Sequence, residues 1–338
     1  PLGVMRELHR WAAHAMVISV WLHMFRVFMT GSYKPPREFN WVLGVLLWGL
    51  TLFLSFTGYL LPWDQTSYWA IKVGSNLAAY LPLIGPSIKS FLLGGEDIGH
   101  ETLIRSFALH VAALPILWTI LISLHLWRIR KDGGLAAPEE TEPDNLPSSP
   151  WLFRAELSVG LLTLSLLLSL SLFINAPLSE RADPLHPPNP AKAPWYFLGL
   201  QELLHYFPPV VGGVLIPTLV VIALIIIPYF NVNIQAEGLW LRDRGKRLRI
   251  FTAVFLALIL LLVAFKVYAV LAPTVLIGAA MFLAARQSAD AGRFQRWLAL
   301  RPLSFWIMTW FLLTASMLTA IGTFFRGPGW SWVWPWSE

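Results

Sequence analysis

The sequence predicts an all-α integral membrane protein, a bundle of about eight transmembrane helices. Three observations predict it. The chain is 56% hydrophobic and only 13% charged, which leaves a soluble domain of this size short of polar surface. Apolar runs recur along the whole chain, each close to the ~20 residues that a helix needs to cross the apolar core. Tryptophan is abundant, with 18 residues, and indoles gather at the membrane interface. Cysteine is absent, which excludes disulfides, thiolate nucleophiles, iron–sulfur ligation and thioether attachment of a cofactor from this chain.

The spans are predicted at 10–29, 40–61, 104–127, 152–176, 210–230, 250–271, 272–287 and 303–325. The seventh is short, and a re-entrant or surface helix is the alternative reading there. Charge supports it as a span. With eight crossings, one side carries Lys34 and Arg37; Arg128, Arg130 and Lys131; Arg242, Arg244, Lys246, Arg247 and Arg249; and Arg286, Arg293, Arg296 and Arg301. The other side, with both termini, carries only Arg6, Arg10, Lys72, Lys89, Arg181, Lys192 and Arg326. The positive-inside rule places the first set in the cytoplasm. The net charge of +6 therefore reports topology and does not indicate nucleic-acid binding. The chain opens at Pro1, shows no signal peptide and enters an apolar helix almost at once; residues are expected to precede it.

Two loops on the less basic side are long. Residues 63–103 follow Pro62, and residues 177–209 are rich in proline and aromatics. Rigid loops at a membrane surface are places where sites are built. Residues 132–150 are acidic, proline-rich and aperiodic, and read as a linker between two halves.

Histidines carry the chemistry. His9 and His23 stand 14 residues apart in the first span, and His110 and His125 stand 15 apart in the third. At about 100° per residue, these separations return to within about 40° and 60° of the starting face, with a rise of about 21–22 Å. The two spans run in the same direction, so His9 pairs with His110 and His23 with His125. Each pair offers one imidazole to either side of a haem iron. A single histidine near a helix end is more often an interfacial side chain; four at matched depths favour ligation, because ionisable groups inside a membrane are functional by default. His14 lies about 140° off the His9 face and reads as a packing or polar-contact residue. His100, His186 and His205 fall in or near loops, and His205 can line a pocket.

Gly44 and Gly58 in the second span are also 14 apart. Missing side chains at the same two depths would let a flat macrocycle approach the backbone, although small-residue helix packing is the alternative. Arg10, Arg26 and Arg105 lie within a turn or two of the histidines and are candidate partners for haem propionates.

These residues resemble a family. Leu8-His9-Arg10-Trp11 with Leu22-His23-Met24-Phe25-Arg26 is similar to the second helix of cytochrome b. Gly58-Tyr59-Leu60-Leu61-Pro62-Trp63-Asp64-Gln65 followed by Tyr68-Trp69-Ala70 resembles the end of that family's third helix. Arg105-Ser106-Phe107-Ala108-Leu109-His110 with Leu124-His125 resembles its fourth. The 15-residue spacing and Pro62-Trp63-Asp64-Gln65 are more similar to the cytochrome b-f branch than to the mitochondrial one. Pro194-Trp195-Tyr196-Phe197 resembles the separate subunit that comes next in that branch, here fused.

The resemblance implies an N-terminal haem-binding domain over 1–131, the linker 132–150, a C-terminal quinol-site domain over 151–230, and additional transmembrane helices over 231–338. It implies two haem b groups, one near the outer face on His9 and His110 and one near the inner face on His23 and His125. It implies a quinol-oxidation pocket walled by Tyr68, Trp69, Pro194, Trp195 and Tyr196, and a second quinone pocket near the inner haem. The implied activity is that of a quinol–cytochrome c oxidoreductase subunit, in which one electron goes to a Rieske iron–sulfur protein and the other crosses the membrane through both haems. The implied partners are the Rieske protein, a c-type cytochrome and a second copy in a homodimeric complex, in a bacterial inner membrane.

There are departures. The family's glutamate is replaced by Pro194, and Glu202, seven residues after Trp195, is a candidate substitute that would fall near the same face if the stretch is helical; a surface glutamate is the alternative. The missing glutamate resembles variants that use low-potential quinones, which points to menaquinol. The family's first helix is missing before Leu8, and with it the position of the cysteine that anchors an additional haem in the b-f branch. Two other classes are open on the residues: a di-haem anchor of a hydrogenase or formate dehydrogenase type, which gives no reason for Pro62-Trp63-Asp64-Gln65, and a transporter, which needs broken spans or mid-membrane polar residues.

Overall fold

Apolar runs of the predicted length become helices because only helical backbone satisfies its own polar groups in hydrocarbon. The computed structural model describes residues 2–134, 148–230, 237–286 and 292–336, and among them eight helical stretches are long and apolar enough to cross a membrane. In chain order the helices are α1 (Leu2–Met29), α2 (Glu38–Tyr59), α3 (Gln65–Ala79), α4 (Gly85–Leu93), α5 (His100–Ala108), α6 (Leu114–Lys131), α7 (Phe153–Phe173), α8 (Trp195–Tyr206), α9 (Ile216–Ile226), α10 (Arg244–Ala264), α11 (Tyr268–Ala285), α12 (Arg293–Ala299) and α13 (Leu303–Phe324). A π-helical turn, Leu109–Ala113, joins α5 to α6 into one span, and a second, Val210–Leu215, leads into α9. Short helices α3, α4, α8 and α12 lie in the connections. Most of the predicted linker 132–150 lies outside the described residues.

The sixth and seventh spans differ from expectation. The break falls at Phe265–Val267, not after residue 271. Lys266 adopts a left-handed backbone (φ 56°), and the N–H of Val267 caps the helix on the carbonyl of Leu262 at 2.8 Å. The seventh span is thus a full helix, and it is the most buried of the eight. Its small residues Ala269, Gly278, Ala284 and Ala285 face neighbours closely, and Phe255 of α10 lies directly over Gly278. Close backbone approach of this kind is how membrane helices gain packing energy. Trp240, Ile277, Met281, Leu298 and Trp306 complete this core.

The Pro62-Trp63-Asp64-Gln65 segment has a structural job. Asp64 caps α3 by accepting from the Ser67 N–H at 2.8 Å, and its other oxygen accepts from Ser179 N–H at 2.9 Å. Gln65 accepts from Asp183 N–H at 2.7 Å. The two long outer loops are therefore stitched at this point. Further bonds join the two halves: Trp11 to the Ile174 carbonyl (2.9 Å), Trp195 to His14 (2.7 Å), Trp41 to the Leu224 carbonyl (2.6 Å), and buried Glu7 to the Ala176 N–H.

Glu202, on α8 within the second long loop, is fully buried. It forms an ion pair with Arg326 (3.0 and 2.5 Å), accepts from Trp330 Nε1 (2.9 Å), and accepts from the Tyr206 hydroxyl (2.8 Å). Burial, with Glu202 adjacent, pushes the Tyr206 phenol up to about 12. Removing one partner of a buried pair strands the other charge and costs about 3–5 kcal/mol. Glu202→Ala is expected to lower stability by that amount, measured as a shift in thermal unfolding of the purified protein, with Glu202→Gln costing less.

Candidate functional site

The four span histidines meet in two pairs. His9 and His110 have ring centres 6.1 Å apart and planes at 75°; His23 and His125 are 6.4 Å apart at 79°. An iron bridging two imidazoles through bonds of about 2 Å holds the ring centres about 6 Å apart. An edge-to-face packing contact also falls in this range. Packing does not account for the repetition at two depths, nor for His9 and His23 standing exposed within apolar helices.

The unequal spacings, 14 and 15, are reconciled by the π turn. In Leu109–Ala113 the Leu114 N–H bonds to the Leu109 carbonyl, five residues back. Such a turn accommodates one extra residue without rotating the remainder of the helix. The 15-residue interval thus behaves as 14, and His125 returns to the face that His110 set.

Two glycines of α2, Gly58 and Gly44, each abut one histidine of a pair, His110 and His125 respectively. A Cβ on Gly58 would collide with the His110 ring, with both nitrogens at 3.0 Å; a Cβ on Gly44 would sit 3.6 Å from His125 Cε1. His110 Nδ1 lies 3.1 Å from the Leu54 carbonyl and 3.3 Å from Thr57 Oγ1. Donating Nδ1–H to that carbonyl leaves Nε2 as the free ligand atom and fixes the ring. His125 Nδ1 is buried without a bond of comparable geometry.

Beside the outer pair is a cavity of about 540 Å³, lined among others by Arg6, His9, Arg10, Gly58, Tyr59 and His110. The Arg10 guanidinium lies 4.7 Å over the Tyr59 ring, and its buried Nε has no partner. These residues fit a haem: two axial imidazoles, a glycine flank and a cation for a carboxylate. Arg26 is exposed one turn beyond His23. Arg105 is placed elsewhere: it donates to the Phe91 carbonyl at 2.8 Å and braces α5 on α4. Arg6, not singled out from the sequence, lines the outer cavity and donates to the Ala176 carbonyl at 3.1 Å; its position one turn before Arg10 was the available signal.

A second cavity is an apolar slot of about 180 Å³ between α3 and α8, walled by Phe56, Trp69, Pro194, Phe197, Leu200 and Leu204 among others. Trp69 and Pro194 thus line one cavity together. Tyr68 backs Trp69, with ring centres 5.7 Å apart. Trp195 and Tyr196 turn to the other side of the loop: Trp195 donates to His14, and Tyr196 lines the outer-pair cavity, where burial pushes its phenol up to about 12. Glu202 faces α13 and the C-terminal segment, not the slot, because its seven-residue offset from Trp195 carries it to the same side as Trp195, away from the slot. His14 makes the polar contact expected of it. His205 lines a separate outer cavity with Lys266 and Tyr268.

The family model described as cytochrome b(N-terminal)/b6/petB matches residues 14–182, which hold His23, His110 and His125, and the one described as cytochrome b(C-terminal)/b6/petD matches residues 181–285. Cytochrome b6 of Gracilaria tenuistipitata var. liui and of Gloeobacter violaceus are each 45% identical over 130 residues, 38% of this chain and 60% of those proteins. The match thus spans under two thirds of the relatives' length. A solved structure titled "Hyperthermophilic respiratory Complex III" superposes with a TM-score of 0.62 at 22% identity, covering 95% of this chain and 80% of that one; at that identity the likeness is one of fold.

Proposed function

The chain belongs to the cytochrome b family, and from that premise we propose that it is the di-haem membrane subunit of a quinol-oxidising electron-transfer complex. The observation that carries the reading is the pair of imidazole couples, 6.1 and 6.4 Å between ring centres, at two depths of one helix bundle. His9 and His110 would hold one haem b iron near the outer face; His23 and His125 would hold the other near the inner face. Each haem, when bound, supplies a one-electron carrier. The chain's residues do the rest. The Leu54 carbonyl orients His110 and raises its basicity. Arg6 and Arg10 offer cations to the propionate edge. Apolar spans exclude water, so the imidazoles work in a low-dielectric interior.

The slot between α3 and α8 would take the quinol. Its walls, Phe56, Trp69 and Phe197, suit a flat aromatic head group. Trp195, tied to His14, would fix the start of α8 and hence the slot's rim. Among the described residues no carboxylate lines the slot. This fits the menaquinol preference and leaves Glu202 a stabilising role. A Rieske protein and a c-type cytochrome would dock on the outer face, where the two stitched loops lie, in a homodimeric complex of a bacterial inner membrane.

A dithionite-minus-ascorbate difference spectrum with a redox titration of the purified complex tests the reading. Two b-type components with separate midpoint potentials are expected, together with turnover on a short-chain naphthoquinol. A single b-type component would overturn the four-histidine assignment, and two haems without quinol turnover would overturn the quinol-oxidising role.

A further inference from the structure

The slot contains one ionisable side chain among its described lining residues, Lys192. It sits in the Pro190–Pro194 segment, and Gln201 clamps the residues on either side of it. The amide nitrogen of Gln201 donates to the Ala191 carbonyl at 2.6 Å, and its oxygen accepts from the Ala193 N–H at 2.7 Å. Lys192 Nζ donates to the Thr323 carbonyl of α13 at 3.0 Å. An ammonium has three protons to donate, so two remain. Lys192 also lines a second space, an outer cleft of about 1150 Å³, and so stands on the wall shared by slot and cleft. Burial pushes its pKa down, as expected of a cation that would gain from an oxygen acceptor.

Resting on the quinol-oxidising reading, we propose that Lys192 is the group that recognises the quinol: its ammonium donates to a head-group oxygen in the slot and favours that oxygen's deprotonated form. The proton step is simple. The quinol hydroxyl gives its proton to water in the outer cleft and becomes a quinolate; the ammonium keeps its own protons, and no electron moves in this step. A fixed cation lowers the pKa of an acid beside it. The other charged groups facing Lys192 are Glu180 and Arg326 across the cleft, and Arg326 is engaged by Glu202. The α3 wall contributes Thr66, Trp69 and Val73, and the α8 wall Phe197 and Gln201, none of which titrates as an acid or base near neutrality.

The test uses the purified complex and a short-chain naphthoquinol. Lys192→Gln is expected to raise KM about tenfold or more, the loss of a charge-assisted hydrogen bond. It should also move the rising limb of the pH–rate profile up by about one unit, with both b haems retained. Lys192→Arg keeps the charge and should restore the limb. In the unmodified protein, a saturating quinone analogue should slow acylation of Lys192, but not of Lys89, as read by mass spectrometry; this measurement stands even where Lys192→Gln loses its haem. Wild-type KM and pH limb in Lys192→Gln, or acylation indifferent to the quinone, overturns the inference while leaving quinol oxidation intact. A wild-type complex that does not oxidise quinol overturns the reading beneath it.

Discussion

Replacing His23 with alanine is expected to remove one of the two b-type haems and leave the other. His23 is paired with His125 at 6.4 Å, and the His9–His110 pair lies on the same helices about 21 Å along the axis. Loss of one axial imidazole empties a site whose other ligand, His125, lacks a bond like the one that fixes His110. The outer pair, with His110 bound to Leu54, has no part in that change. Extracted haem per chain should fall to about half, and the redox titration should keep only the component assigned to the outer pair. Loss of both components would show that the two pairs are not separate sites.

Gly58→Ala is expected to be severe and Gly44→Ala mild. The two glycines occupy equivalent depths, yet their surroundings differ. At Gly58 a methyl group would collide with the His110 ring, which the Leu54 carbonyl, one turn earlier on α2, holds against that helix. The ring can yield only by giving up that bond. Groups that orient a metal-binding histidine are worth about 10–100-fold in affinity, so the outer site's haem affinity should fall by that factor, read as loss of the outer b component on purification. At Gly44 the methyl would meet His125 at 3.6 Å, an ordinary contact. Retained haem spectra in Gly58→Ala, at wild-type potential, would mean that the bound state places His110 away from α2.

Much of this was legible in the sequence because membrane spans and axial ligands both obey helical periodicity. The four histidines could be paired from their spacing and from the shared direction of the first and third spans. What spacing could not supply was the reason that 15 residues do the work of 14. The cause is Pro115: it lacks an N–H, so the Val111 carbonyl has no partner four residues on, and the helix re-registers through the π turn Leu109–Ala113. Pro217 comes after the second π turn in the same way. The signal was present as a proline inside a span. Other misplacements came from contacts that no local pattern encodes. Arg105 is near His110 in sequence but is held by Phe91, and Glu202 finds Arg326, 124 residues away. The turn at Phe265–Val267 has neither glycine nor proline to announce it; a left-handed lysine makes it.

The bonds between the two halves have an implication for how the polypeptide could be handled. Asp64 and Gln65 grip residues 179–183, Glu7 and Trp11 grip 174–176, and Trp41 grips Leu224. All of these ties span the acidic, proline-rich stretch without using it. None of them needs an intact peptide bond there, so a protease site placed among residues 138–147, or two open reading frames in place of one, should yield fragments that co-purify as a single haem-bearing unit. Fusion in this chain then sets the stoichiometry of the halves at one to one during synthesis, while side chains near both ends of the bundle keep them together.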